Sequence, residues 1–194
     1  MKKQKFLLSV MFVLPLLISS CKDESQNPDS IQLLINSSVE AGSSSPNKWF
    51  GVPGDYQASW TDEHAFSGSK SLMITSPGND GKFGYWVQSF SNDIPHGKRL
   101  RLRAMIKLDG VDPTSDGVSI VIRGDDDEMT DHSVFFYTTQ GDVPIRGDED
   151  WKEYTLEMKS NIPETVYRIH VFLVLLDDTM GTVYFDDITL ETIN

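Results

Sequence analysis

The sequence predicts an all-β fold, a β-sandwich of antiparallel strands, over residues 31–194. Short runs of β-branched and aromatic residues follow one another, and Gly, Pro, Asn and Asp separate them. After Ile31 there is no long segment with the 3.6-residue apolar period and the caps of a helix. The length of 194 residues suits one domain preceded by a targeting segment, and no internal repeat interrupts it.

Ten segments have the composition of strands. They are Ile31–Ile35, Tyr56–Trp60, Ser71–Ser76, Phe83–Phe90, Arg99–Leu108, Gly117–Arg123, Ser133–Thr139, Trp151–Met158, Val166–Leu176 and Thr182–Glu191. The alternation in Arg99–Leu108 predicts that Leu100, Leu102, Ala104 and Ile106 face the core. The stretch Ile169–Leu176 is apolar on both faces, which indicates a central strand or one whose outer face is covered or binds something.

The last predicted strand contains two adjacent carboxylates, Asp186 and Asp187. Before them, the apolar residues Val183 and Phe185 stand at odd-numbered positions, whereas Ile188 after them stands at an even-numbered position. A one-residue slip turns side chains to the other face of a sheet, so a β-bulge is expected here. The carboxylates are either a solvated pair on an edge strand or buried groups stabilised by ion pairing or a metal.

The first twenty residues read as a lipoprotein signal peptide. Lys2, Lys3 and Lys5 precede the apolar run 6–18, which is shorter than the roughly 20 residues of a membrane span. The run ends in Ile-Ser-Ser before Cys21, a pattern that resembles a bacterial lipobox. Cys21 is the only cysteine, so it has no disulfide partner within the chain, and lipidation is the role expected for it.

Residues 21–30 are polar and predict a flexible tether to the domain over 31–194. The order Cys-Lys-Asp-Glu also resembles the acidic export signal of Bacteroidota surface lipoproteins, which predicts an outer-membrane lipid anchor facing the cell surface. Loss of the signal peptide removes three lysines and takes the net charge from −12 to −15. This charge opposes binding to nucleic acid, because clustered Lys and Arg supply that affinity.

Most catalytic signatures are absent from the sequence. The four histidines are far apart, and there is no metal-binding His/Cys pattern, nucleophile elbow or phosphate loop. Carboxylates are plentiful, so a glycosidase with two carboxylates stays open. The acidic runs 125–128 and 148–150 lack the alternation of an EF-hand and are expected to be solvated loops or adventitious cation sites.

Four stretches together resemble a known family. They are INSSVEAG, HAFSGSKSLMI, DWKEYTLEM and GTVYFDDITL, in that order. Their order and spacing are similar to those of jelly-roll carbohydrate-binding modules of the cellulase- and xylanase-associated type, in the galactose-binding-like class. The resemblance covers about residues 35–190, and it implies a jelly-roll β-sandwich of two antiparallel sheets.

The resemblance also implies a structural calcium ion. Carried onto matching positions, Glu40 and Asp187 would supply carboxylate ligands, and Ser67 and Lys70 would supply backbone carbonyls. Calcium prefers such hard oxygen ligands. Asp186 would then face solvent or support Asp187, and a hydrogen-bonded pair without metal is the alternative.

Modules of this family bind glycans on a concave sheet face or in loops at one end, where sugar rings stack on aromatic side chains. Aromatic residues beside amide, guanidinium or imidazole groups are therefore the expected mixture. The candidates for an outer sheet face are Trp86, Gln88, Arg103, Arg123, Tyr137 and His170. Trp49 and Phe50, in the Gly/Ser/Pro-rich stretch 42–53, are the candidates in an exposed loop.

The expected function is non-catalytic glycan binding by a lipid-anchored module, with a polysaccharide or oligosaccharide as partner. One alternative is an accessory subunit of an outer-membrane complex that kept the sandwich and has no sugar site. The other alternative is a small glycoside hydrolase or lyase.

Overall fold

The computed structural model describes residues 30–76, 78, 81–126 and 132–194. These residues form β1 (Phe50–Val52), β2 (Gln57–Thr61), β3 (Ser71–Ser76), β4 (Gly84–Phe90), β5 (Arg99–Val111), β6 (Val118–Asp125), β7 (Ser133–Thr138), β8 (Gly147–Glu157), β9 (Arg168–Leu175) and β10 (Gly181–Ile193). Within these ranges, no helix has the length and apolar character needed to cross a membrane. The predicted signal peptide, Cys21 and residues 21–29 of the tether lie outside the described residues.

The strands form two five-stranded antiparallel sheets. The first sheet has the order β1-β4-β9-β6-β7, and the second has the order β2-β3-β10-β5-β8. Neighbouring strands in each sheet are mostly distant in sequence, so each sheet is assembled by connections that cross between the two layers. This arrangement is the predicted all-β jelly-roll sandwich of two antiparallel sheets.

The core lies between the two sheets and is filled by alternate side chains of each strand. In β5, Leu100, Leu102, Ala104 and Ile106 are fully buried, as their spacing predicts. The facing layer is supplied mainly by β4, β6 and β9, including Ile169, Val171 and Leu173 on β9. Because β9 lies between β4 and β6, it is a central strand, as its continuous apolar run indicates.

β10 contains the bulge that its sequence predicts. The register with β5 shifts between Asp186 and Thr189, and Asp187 has a positive φ of 43°. The extra residue brings Ile188 to the same core as Phe185. The edge-strand interpretation of the two carboxylates is wrong, because β10 lies between β3 and β5 in the middle of its sheet.

Two other strand predictions differ from the structure. Residues 31–35 form an isolated bridge between Gln32 and Glu191 instead of a strand, and Ile31 and Ile35 are mostly exposed. The side chain of Gln88 occupies both the N–H and the C=O of Ile35, so these backbone groups do not pair with a strand. Conversely, β1 lies in the Gly/Ser/Pro-rich stretch that was expected to be a loop.

Candidate functional site

The outer face of the first sheet carries a continuous set of aromatic and apolar side chains. The strand register aligns Phe50, Val87, Phe172, Val121 and Thr138 in one row across all five strands. A parallel row contains Val52, Tyr85, Val174 and Ser119, and a third contains Ser89, His170, Arg123 and Phe136. We call these three rows the aromatic face.

Several rings on this face contact one another. Phe83, which directly precedes β4, stacks on Tyr85 with ring centroids 5.9 Å apart, and Tyr85 meets Phe172 edge-on at 5.4 Å. Phe172 in turn stacks on the His170 imidazole at 5.7 Å. At the edge strands, Phe50 is 66% exposed and Phe136 is 58% exposed. Phe83, Tyr85, Phe136 and Phe172 line a cavity of about 300 Å³. Such rings present apolar surfaces on which a flat, weakly polar group can stack.

A polar cluster borders the rings. Its centre is His170, whose Nδ1 lies 2.7 Å from the Ser89 hydroxyl and whose Nε2 lies 3.1 Å from Asp125 Oδ2. The other oxygen of Asp125 accepts a hydrogen bond from Arg123 Nε at 2.7 Å. Asp125 is 1% exposed, and Arg123 and His170 project beyond it toward the face. The cluster therefore places oriented hydrogen-bonding groups beside the aromatic platform.

Burial keeps the imidazole of His170 neutral near pH 7. Desolvation lowers the pKa of His170 below its ordinary value, and the charges of Arg123 and Arg168 lower it further. The Asp125 carboxylate opposes this effect without overcoming it. At neutral pH the face presents an uncharged imidazole next to an Arg–Asp ion pair.

Of the residues predicted to bind a ligand, Arg123, His170 and Phe50 lie on the aromatic face, and Phe50 belongs to β1 instead of a loop. The predicted outer-face placement of Trp86, Gln88 and Tyr137 is wrong, because they have the opposite parity and point inward. Trp86 is 5% exposed and donates its indole N–H to the Met73 carbonyl across the sandwich. Tyr137 pairs with buried Ile122, and its hydroxyl bonds to Ser160.

The other two predicted ligand residues are also placed differently. Arg103 belongs to β5 of the second sheet, where it forms an ion pair with Glu191 at 2.8 Å. Trp49 is buried, and its indole N–H donates to the Asn36 carbonyl. A tryptophan in a Gly/Ser/Pro-rich stretch was expected to be exposed, but here it anchors the N-terminal loop to the core.

Sequence reasoning missed Tyr85, Phe172, Phe136 and Asp125. In β4 the adjacent residues Tyr85 and Trp86 are both aromatic, so the sequence does not show which ring faces outward, and the prediction that Trp86 does is wrong. The register with β9, a long-range feature, resolves this ambiguity. Asp125 opens an acidic run whose composition predicts a solvated loop, yet it is the last residue of β6 and is buried.

A second set of polar groups surrounds the loop formed by residues 66–70. Glu40 accepts hydrogen bonds from the backbone N–H groups of Ser69 and Lys70, at 2.9 and 2.8 Å. Burial would raise the pKa of Glu40, but these bonds outweigh it and hold the pKa below its ordinary value. A side chain at Gly68 would collide with the Glu40 carboxylate, and its φ of +63° also favours glycine.

The paired aspartates of β10 hold the same loop. Asp187 Oδ1 accepts the Ser67 hydroxyl at 2.9 Å, and Asp186 Oδ2 accepts the backbone N–H groups of Phe66 and Ser67. Asp186 is fully buried, so the expectation that it faces solvent is wrong. Burial raises its pKa to about 6, although its hydrogen bonds act in the opposite direction.

The predicted calcium ligands therefore meet at one loop. Glu40 and Asp187 flank it, and their oxygens have the chemistry that calcium prefers. Both carboxylates already accept hydrogen bonds from Ser67, Ser69 or Lys70. Among the described residues, no three His, Cys, Asp or Glu side chains are grouped as a metal site. Since calcium takes six to eight oxygens, backbone carbonyls or water would have to supply the majority.

Comparison with known proteins identifies the fold. No protein-family model and no curated protein sequence matches the chain. Among solved structures, the CBM22-1 xylan-binding domain from Paenibacillus barcinonensis Xyn10C is similar over 81% of this chain and 92% of its own, with a TM-score of 0.52 and 14% identity. A family 4 carbohydrate-binding module covers 82% of this chain and 99% of its own, with a TM-score of 0.54 and 17% identity.

Some proteins with the same fold are enzymes. A Stig cyclase from Fischerella sp. TAU, in complex with a substituted indole, has a TM-score of 0.60 and 13% identity, over 84% of this chain and 98% of its own. The enzymatically active domain of tailspike protein 4 from bacteriophage CBA120 also has a TM-score of 0.60, but this chain spans only 22% of it. The chain thus has the jelly-roll fold of carbohydrate-binding modules, a fold that also serves catalysis.

Proposed function

We propose that this chain is a non-catalytic carbohydrate-binding protein whose aromatic face binds a polysaccharide or oligosaccharide. The observation that carries the proposal is the joint presence of ring surfaces and a fixed polar cluster on one exposed sheet face. Sugar rings have apolar C–H faces that stack on aromatics, and their hydroxyls need oriented donors and acceptors. Structural similarity to xylan-binding modules supports the same choice of ligand class.

Among the described residues, the second sheet has fewer exposed rings, chiefly Phe66 beside Trp151 of β8, and charged side chains dominate its outer face. Its outer face carries ion pairs between Arg101 and Glu157, Arg103 and Glu191, and Lys107 and Asp150. Charged side chains that are already paired give little surface for stacking. The aromatic face is therefore the better candidate.

The proposal of a non-catalytic role rests on the number of carboxylates at the aromatic face. Among the aligned outer positions of the described strands of the first sheet, Asp125 is the one carboxylate, and Arg123 and His170 occupy its two oxygens. Glycoside hydrolysis in its usual form requires a pair of carboxylates on either side of the scissile bond. This arrangement supports binding more than hydrolysis.

A glycan-array screen of the soluble chain beginning at Lys22 tests the proposal. For a glycan that binds, Phe172→Ala and Tyr85→Ala should each weaken affinity at least about tenfold, which corresponds to roughly 1.4 kcal/mol. Phe66→Ala is the matched control, because Phe66 is an exposed aromatic that packs on Trp151 away from this face. Equal losses in all three variants, or no glycan bound at all, would refute the proposed role.

The same face also supports a second candidate function, as a docking surface for another protein. Phe50 and Phe136 project from the two edge strands of the sheet, and their exposure is high for such large apolar side chains. An accessory subunit of an outer-membrane complex would bury them against its partner. In that case, Phe50→Ala and Phe136→Ala would abolish co-purification with the partner, and the array would stay empty.

The proposed site of action is the outer membrane, with a lipid on Cys21 as the anchor and the domain facing the cell surface. The lipobox-like residues and the acidic residues after Cys21 support this location. Cys21→Ser should abolish labelling with a radioactive fatty acid and release the protein from the membrane fraction. Protease added to intact cells should degrade the wild-type domain. Labelling that survives the substitution would exclude Cys21 as the anchor.

A further inference from the structure

We propose that Asp125 is the positioning residue of the aromatic face, which orients Arg123 and fixes the tautomer of His170 for ligand binding. The ligand-binding part of this inference rests on the proposed function. The geometric part, which nitrogen of His170 carries the proton, stands without it.

Asp125 is unusual because it is a buried carboxylate at the end of a strand. Its backbone carbonyl accepts the N–H of Tyr167 at 2.7 Å, which fixes the end of β6 to the residue before β9. Its side chain is 1% exposed, although it opens an acidic run. Burying a charge is costly unless hydrogen bonds and an opposite charge offset the lost hydration. Arg123 supplies the opposite charge, and His170 supplies a second hydrogen bond.

The contacts determine the tautomer of His170. An ionised carboxylate accepts hydrogen bonds and donates none, so the proton must lie on Nε2, which faces Asp125. In a neutral imidazole, Nδ1 is then an acceptor, and the Ser89 hydroxyl must donate to it. The lone pairs of the Ser89 oxygen are left as acceptors on the exposed side of β4.

The direction of these hydrogen bonds has a consequence for recognition. Asp125 accepts the proton of His170 Nε2, and His170 Nδ1 in turn accepts the proton of the Ser89 hydroxyl. A ligand hydroxyl that reaches Ser89 must therefore donate its own proton. The groups that surround His170 are Asp125 and Arg123 from β6, Arg168 from β9 and Ser89 from β4. Among them, Asp125 is the one negatively charged group, so it attracts the imidazole proton most strongly.

The test uses the full chain from Lys22, labelled with ¹⁵N-histidine, and xylohexaose as the glycan probe. Long-range ¹H–¹⁵N spectra near pH 7.5 should show the His170 proton on Nε2. Arg123 and His170 contact different oxygens of Asp125, and in Asp125→Asn one of these two positions becomes a donor NH₂ group, so the amide cannot accept from both in their present places. We expect a change of tautomer, a lower titration midpoint of His170 and at least a tenfold loss of affinity for xylohexaose.

Two further variants separate positioning from a general effect on folding. Ser89→Ala should keep the Nε2 proton, because Asp125 sets it. Asp126→Asn is the matched control, since Asp126 is the next residue, is exposed and pairs with His132. It should leave the tautomer, the midpoint and the affinity unchanged. If Asp125→Asn does not fold, the wild-type and Ser89→Ala spectra still decide the tautomer.

A wild-type proton on Nδ1 would overturn the inference, as would an Asp125→Asn protein with unchanged titration and affinity. If the wild-type protein shows the Nε2 proton but does not bind xylohexaose or any glycan on the array, the proposed function fails. The tautomer result would then still support the geometric role of Asp125.

Discussion

Trp86 and Tyr85 are adjacent in β4, but Trp86 belongs to the core and Tyr85 to the aromatic face. The indole of Trp86 is buried between the sheets, whereas the ring of its neighbour Tyr85 lies on the aromatic face. Trp86→Ala should therefore lower the free energy of unfolding by about 3–5 kcal/mol, the usual cost of truncating a buried large aromatic. Urea denaturation measures this cost. Phe136→Ala, at a mostly exposed position, should change stability far less, and a similar loss in both variants would contradict the assignment.

His170 should make stability depend on pH. Its pKa is below the ordinary value of 6.5 in the folded protein, so the unfolded chain binds the proton more tightly. The contribution is therefore fully present above about pH 6.5 and is lost as the pH falls below it. Thermal unfolding between pH 8 and 5 should show a smaller pH dependence in His170→Gln than in wild type. Exposed His132→Gln is the control, and parallel curves for all three proteins would contradict the expectation.

At the scale of the element, the bulge in β10 depends on a backbone conformation that few residues tolerate. Asp187 has φ of 43°, which aspartate and asparagine adopt more readily than β-branched residues. Asp187→Val should cost about 1–3 kcal/mol of stability through backbone strain. Asp187→Asn keeps the conformation and an acceptor for Ser67, so it should remain close to wild type. Both are measured by urea denaturation in chelator, and equal losses would argue against strain.

The elements also show what could be predicted from the sequence. The alternation in Arg99–Leu108 predicts the core face of β5, and the phase change at Asp186 predicts the bulge, because both signals are local. The sequence of β4 alone does not show which of its two faces is buried, because Tyr85 and Trp86 are both aromatic. Only the pairing with β9 decides which of the two rings is buried. The burial of Asp125 likewise depends on Arg123 and His170, and the latter is 45 residues away.

At the scale of the whole molecule, the loop of residues 66–70 joins the N-terminal region to the last strand through Glu40 and Asp187. We expect calcium to bind there and to stabilise the folded state. Binding to the native state alone adds about 2.7 kcal/mol at a hundredfold excess over Kd. Chelator should therefore lower the melting temperature by several degrees, since about 1 kcal/mol corresponds to roughly 2–4 °C for a chain of this size.

The control for calcium is Asp187→Ala, which should melt at the same temperature with and without chelator. Elemental analysis of the purified wild-type protein provides an independent measurement. Unchanged melting in chelator, together with the absence of bound metal, would assign Glu40 and Asp187 to hydrogen bonding alone.

The position of β10 has a consequence for the order of events during synthesis. It follows the other nine described strands in the chain, yet it lies between β3 and β5 and accepts the bridge from Gln32. The second sheet cannot close before this strand leaves the ribosome, and pairing of distant segments is intrinsically slow. Until β10 has been synthesised, the emerging polypeptide therefore stays without its completed sandwich and exposes the unpaired edges of β3 and β5 to chaperones.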